Sequence, residues 1–162
     1  MTVALALAGP AMAGDWEDAV EAYKRQDYAT ALRLLKPLAD QGYARAQDGL
    51  GIMYRDGEGV SKDYAQALKW LQLAADQGNA GAQRSLGIMY RDGEGVPKDY
   101  AQALKWLRLA ADQGLVYSQL ACGYMYAVGQ GVPKDEVLAT QWFRKAADQG
   151  NETAQGTLVE II

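Results

Sequence analysis

The apolar positions of this chain fall into two alternating stripes, both with helical spacing. Leu50, Met53 and Tyr54 stand at i, i+3 and i+4, which is one face of an amphipathic helix. This predicts a helix, A, over 44–56, with copies over 80–92 and 116–128. A second stripe follows at Tyr64, Ala67, Leu68, Leu71, Ala74 and Ala75 and predicts a helix B. Tyr100, Ala103, Leu104, Leu107, Ala110 and Ala111 copy it. The pair returns every 36 residues: Asp40-Gln41-Gly42 recurs at 76–78, 112–114 and 148–150. Residues 51–78 and 87–114 differ only at Ser61/Pro97 and Gln72/Arg108. A fixed period of this size marks a unit that cannot bury its apolar face alone and stacks on copies of itself.

Punctuation agrees with the stripes. Asp63 and Asp99 are placed to cap helix B, with Gln66 and Gln102 three residues on, as in a capping box. Gly42, Gly78, Gly114 and Gly150 stand where a left-handed residue ends that helix, and Asn79 and Asn151 are ready N-caps for the next helix A. The link 55–63, repeated at 91–99, holds two glycines around a carboxylate and predicts a positive-φ turn with Val60, Val96 or Val132 tucked inward. Gly51, Gly87 and Gly123 sit mid-helix, where glycine costs about 1 kcal/mol relative to alanine, so close approach of helix B is expected there. Val159 replaces that glycine only in the last copy, which no helix B follows. The opening pair, near 16–25 and 28–41, lacks the Gly-x-Gly link. The expected organisation is a leader 1–13, an opening pair 14–42, units 43–78, 79–114 and 115–150, and an end helix 151–162.

Charge narrows the partners. Sixteen Lys and Arg against twenty Asp and Glu, spread along the chain, leave no basic stripe, so nucleic acid is not an expected ligand. No apolar run approaches the ~20 residues of a membrane-spanning helix. Residues 1–14 carry no charged side chain, and Ala11-Met12-Ala13 has the small-x-small form of a signal-peptidase site. The segment reads as a signal peptide cleaved after Ala13, which implies a periplasmic or secreted protein. A disordered leader is the other reading, and it leaves the protein cytoplasmic. Val3–Ala8 is short for a signal core, and no Lys or Arg precedes it.

Laid out in columns, Ala-x-Ala-Gln-x-x-Leu-Gly-x-x-Tyr at 44–54, then Gly-x-Gly-Val, Ala-x-x-Trp and Ala-Ala-Asp-Gln-Gly resemble the Sel1-like repeat. The resemblance covers about 43–162, and 15–42 are similar to a tetratricopeptide-like opening unit. It implies an all-α, right-handed α/α superhelix, or solenoid, that scaffolds protein assemblies. In bacteria such proteins are often periplasmic, secreted or membrane-associated. Some cysteine-rich members bind or hydrolyse β-lactams, so a β-lactam-binding or peptidoglycan-related enzyme is the alternative the resemblance carries. Those members use paired cysteines, and this chain has one cysteine.

Catalytic chemistry is thinly represented. There is no histidine, which removes Ser-His, Cys-His and most zinc arrangements. None of Ser61, Ser85 or Ser118 is followed three residues later by lysine. Cys122 falls in the Leu50/Leu86/Leu158 column and reads as a packing residue, as do Trp70, Trp106 and Trp142 in theirs. Gly57-Glu58-Gly59 places a carboxylate where a phosphate loop needs donors. No cofactor or metal is expected.

A scaffold works through columns that vary. Arg45, Asp48, Ile52 and Arg55 stand on the helix A face away from Leu50 and Tyr54. Arg84, Ser85, Ile88 and Arg91 match them in the next unit, then Tyr117, Leu120, Ala121 and Tyr124. In helix-pair solenoids the A helices line the concave surface. A shallow groove for a peptide or protein partner is therefore expected, basic and aliphatic at its centre and aromatic towards the C-terminus. The competing reading is that these positions vary because nothing touches them. Self-association through Leu158, Val159, Ile161 and Ile162 of the end helix is a further route to a partner.

Overall fold

A computed structural model describes the backbone of residues 10–161 and the side chains of 14–160. Among the described residues the chain is all helical. Its elements are α1 (Pro10–Lys24), α2 (Tyr28–Asp40), α3 (Ala44–Asp56), α4 (Tyr64–Asp76), α5 (Ala80–Asp92), α6 (Tyr100–Asp112), α7 (Val116–Val128), α8 (Glu136–Asp148) and α9 (Glu152–Ile161). Consecutive helices pack as pairs, so the fold is an all-α solenoid. The bounds of α3, α5 and α7 are those the apolar spacing predicts. α1 begins earlier than residue 16, at Pro10, whose fixed φ and missing N–H suit a first helical position. The leader's apolar stretch Val3–Ala8 lies outside the described residues. No described helix is long and apolar enough to cross a membrane.

Contacts divide the chain inside α4 into two compact units, Met1–Leu73 and Ala74–Ile162. The first centres on Leu35, Leu38, Leu50, Met53 and Trp70, with Trp16, Tyr23, Tyr28 and Tyr54 packed against them. The core of the second includes Leu104, Leu107, Cys122, Met125, Tyr126, Trp142 and Phe143, with Val132 and Leu158 against it.

The mid-helix glycines are contact points. A Cβ on Gly51 would lie 2.5 Å from Leu71 Cγ, on Gly87 2.5 Å from Leu107 Cγ, and on Gly123 2.6 Å from Phe143 Cε1. Helix B packs into the space that the missing side chain leaves. The link glycines Gly57, Gly59, Gly93, Gly95, Gly129 and Gly131 all take positive φ. Gly59 and Gly131 have another reason to be glycine. A Cβ on Gly59 would meet Tyr28 Cβ at 2.8 Å, and one on Gly131 would meet the Tyr100 carbonyl carbon and oxygen at 2.5 Å. These two links thus sit on the starts of α2 and α6, the helix B of the repeat before each.

The capping boxes form only by half. Asp63 Oδ1 accepts from Gln66 N at 3.0 Å and Asp99 Oδ1 from Gln102 N at 3.0 Å. The N–H groups that the glutamines would satisfy in return already donate elsewhere. Asp63 N reaches Tyr54 O at 2.9 Å and Asp99 N reaches Tyr90 O at 2.8 Å, which ties the link back onto helix A. Asn79 and Asn151 cap α5 and α9 as expected, each accepting from a backbone N–H at 2.9 Å.

The glutamine of Asp-Gln-Gly explains part of the period. Gln113 Nε2 reaches back a whole repeat to Gly78 O at 2.9 Å and to Gln83 Oε1 at 2.8 Å. Gln149 does the same to Gly114 O at 3.0 Å and Gln119 Oε1 at 2.8 Å. Gln83 and Gln119 are themselves buried and donate to Ala75 O and Ala111 O, both at 3.2 Å. Each chain of bonds satisfies carbonyls at a helix B end, which no intrahelical donor can reach.

Candidate functional site

In the second unit, α5 presents Arg84, Ile88 and Arg91 on one stripe at i, i+4 and i+7. α7 presents Tyr117, Leu120, Ala121 and Tyr124 at the equivalent spacing. All seven line one concavity of about 240 Å³, floored by Leu107 of α6. Leu107 is in place because Gly87 lets α6 approach. Tyr117 is 70% exposed and Tyr124 44%, and Tyr124 packs edge-on against Phe143 with ring centroids 5.1 Å apart. Ser85, expected on this face, is only 1% exposed. At the same position in the first unit, a Cβ on Gly49 would lie 3.2 Å from Leu35 Cδ1 of α2.

The two arginines are not equivalent. Arg91 forks onto its neighbour Asp92, Nε to Oδ1 at 2.7 Å and Nη2 to Oδ2 at 2.9 Å. That hydrogen bonding raises the guanidinium's pKa and lowers the carboxyl's. Arg84 has no such carboxylate: its Nε is buried and no acceptor among the described residues meets it.

The first unit has its own concavity, about 340 Å³ and mostly apolar, which holds Arg45, Asp48 and Ile52. Half of its lining comes from α1 (Trp16, Ala19, Val20, Tyr23 and Lys24), which sequence reasoning did not assign to a site. Trp16, Val20 and Tyr23 follow i, i+4, i+7, so the signal was present in the pattern. Tyr23 donates to Glu58 Oε2 at 2.6 Å, and burial together with that carboxylate pushes its phenol pKa up. Arg55 does not line this concavity; its guanidinium is forked on Asp56 at 2.7 and 2.9 Å.

The thiol is out of reach. Cys122 is buried, and desolvation pushes its thiol up to about 12. The three repeat tryptophans are buried core, each under a lysine ammonium: Lys69 over Trp70 at 4.9 Å, Lys105 over Trp106 at 5.3 Å and Lys145 over Trp142 at 4.2 Å. Among the described residues no three His, Cys, Asp or Glu side chains cluster as metal ligands. On α9, Leu158 packs into the core while Val159 is 77% exposed; the side chains of Ile161 and Ile162 lie outside the described residues.

Stacked helical pairs with mid-helix contact glycines and a Gly-x-Gly link define an α-solenoid repeat protein. The Sel1 repeat model matches residues 21–43, 44–79, 80–115 and 116–151, and the chain belongs to the Sel1 repeat family. The chain is 40% identical to a protective antigen of uropathogenic Escherichia coli displaying an SLR fold. That match has a TM-score of 0.84 and covers 88% of this chain and 32% of the antigen. It is 35% identical to a Sel1 repeat protein from Oxalobacter formigenes, with a TM-score of 0.84 over 88% of this chain and 59% of that one. The chain therefore spans about a third of the first relative's length and less than two thirds of the second's. Helicobacter pylori cysteine rich protein B shares the fold at 24% identity, with a TM-score of 0.61, covering 88% of this chain and 96% of that protein. No curated protein matches. Sel1 repeat proteins are generally non-catalytic scaffolds that bind other proteins.

Proposed function

We propose that this chain is a protein-interaction module whose second unit holds a segment of another protein in the α5–α7 concavity. One observation carries the reading. Arg84, Ile88, Arg91, Tyr117, Leu120 and Tyr124, chosen because they stand in the variable face of helix A, converge on one concavity with two exposed tyrosines at its rim. Exposed Tyr and Arg around an apolar floor are typical anchors of a binding surface. In the first unit, Arg45, Asp48 and Ile52 with the α1 side chains form a second, separate contact surface, to which Arg55 does not contribute. Replacing Arg84 by Glu and both Tyr117 and Tyr124 by Ala abolishes capture of a specific partner while circular dichroism stays unchanged. A partner that binds this triple variant normally removes the site from consideration.

The leader and the bacterial relatives support export to the periplasm or beyond. N-terminal sequencing of the natively produced protein decides this, and an intact 1–13 sinks it. The exposed Val159 favours self-association through α9 as a second route to a partner. A monomer by light scattering at high concentration disposes of that route.

A further inference from the structure

We infer that the second unit's concavity selects a segment presenting a carboxylate beside a large apolar side chain; this rests on reading the concavity as a protein-binding site. The two cations in its lining differ in what they have left to offer. Arg91 is already committed to Asp92, whereas Arg84 has a buried Nε that no acceptor meets. No Asp or Glu lines the concavity, although the chain as a whole carries a net charge of −4. A buried donor left unpaired is costly, and a carboxylate is the acceptor whose two oxygens match the guanidinium fork.

The rest of the lining sets what accompanies the carboxylate. Ile88, Leu107, Leu120 and Ala121 give an apolar floor, and Tyr117 and Tyr124 give it aromatic rims. Arg84 and Ile88 stand one turn apart on α5, about 6 Å along the axis. That separation suits alternate side chains of an extended segment, which share one face about 6.6 Å apart at about 3.3 Å per residue. In the same column the first unit has Asp48, which lines its concavity together with Lys24 and Arg45, so that concavity carries its own carboxylate. A single guanidinium without a basic stripe suits one carboxylate and not a polyphosphate backbone.

The test is fluorescence anisotropy on the full chain with labelled hexapeptide pools. Glu and, two positions away, Leu or Phe stand at the centre in either order in one pool, and Gln replaces the Glu in the other. The Glu pool is expected to bind about tenfold or more tightly than the Gln pool at low salt, with the gap narrowing as salt rises. Arg84→Gln removes the gap, and Arg84→Lys, which keeps the charge without the fork, restores part of it. Both variants are checked by circular dichroism. Equal binding of the two pools, or a gap that survives Arg84→Gln, overturns the carboxylate preference. If the pools bind equally and Tyr117→Ala with Tyr124→Ala weakens both, the groove stands and only the carboxylate inference falls. If neither pool binds, or the double tyrosine variant binds both like the parent, the groove reading falls with it.

Discussion

Cys122 sits in a column that leucine holds in the other units, and its thiol is shaped by that position. Burial, and then the Asp112 carboxylate, raise it from 9.0 to about 12, with Arg108 and Lys145 partly opposing. The folded chain therefore keeps a proton that the unfolded chain releases as pH climbs past 9.0, and stability falls across the window up to about 12. Urea unfolding of the parent and of Cys122→Ala is expected to show the parent losing stability relative to the variant above pH 9, but not below it. The same burial predicts that the native thiol resists disulfide reagents at neutral pH, because the thiolate is the reactive species. Rapid labelling of native protein contradicts both expectations.

At the level of single helices, two glycines in the same kind of element respond with opposite sign. Gly87→Ala gains helix propensity but sets a Cβ 2.5 Å from Leu107 Cγ, and overpacking of this kind costs about 1–3 kcal/mol. A Cβ on Gly156 in α9 would have no neighbour within 4 Å, so Gly156→Ala stabilises by about 0.5–1 kcal/mol. Thermal melts of both variants check the signs, and Gly87→Ala combined with Leu107→Ala loses less than the sum of the two. The helix bounds were legible because each repeat carries its own stripe, cap and glycine stop, all local signals. The site was legible only as a face. That Arg84, Ile88, Tyr117 and Leu120 share a stripe follows from helical period, but Ser85 lies one position away and is buried. The Arg91–Asp92 and Arg55–Asp56 forks depend on rotamers, which no periodicity encodes. The Gln66 and Gln102 half of the capping box failed for a non-local reason, since the N–H it needed belongs to the bond back to Tyr54 or Tyr90. α1's share of the first concavity was overlooked although Trp16, Val20 and Tyr23 are in phase.

Across the second unit, neighbouring repeats are tied by the same pair of bonds used twice. Gln113 joins Gly78 and Gln83, and Gln149 joins Gly114 and Gln119. In a stacked array each repeat touches only its neighbours, so stability approximates a sum of unit and interface contributions. Each of these glutamines therefore serves one interface and is silent at the other. Gln113→Ala and Gln149→Ala are each expected to cost about 1 kcal/mol, the net worth of a hydrogen bond plus some penalty for the carbonyl left behind. Because the two sets of bonds share no partner, the double variant should cost the sum within about 0.5 kcal/mol. Gln83→Ala combined with Gln113→Ala breaks one chain of bonds twice and should cost clearly less than its sum. Urea denaturation of the single variants and both doubles reads this directly. Equal coupling in the two doubles would mean that the glutamines act through the whole stack and not through the interface each one bridges.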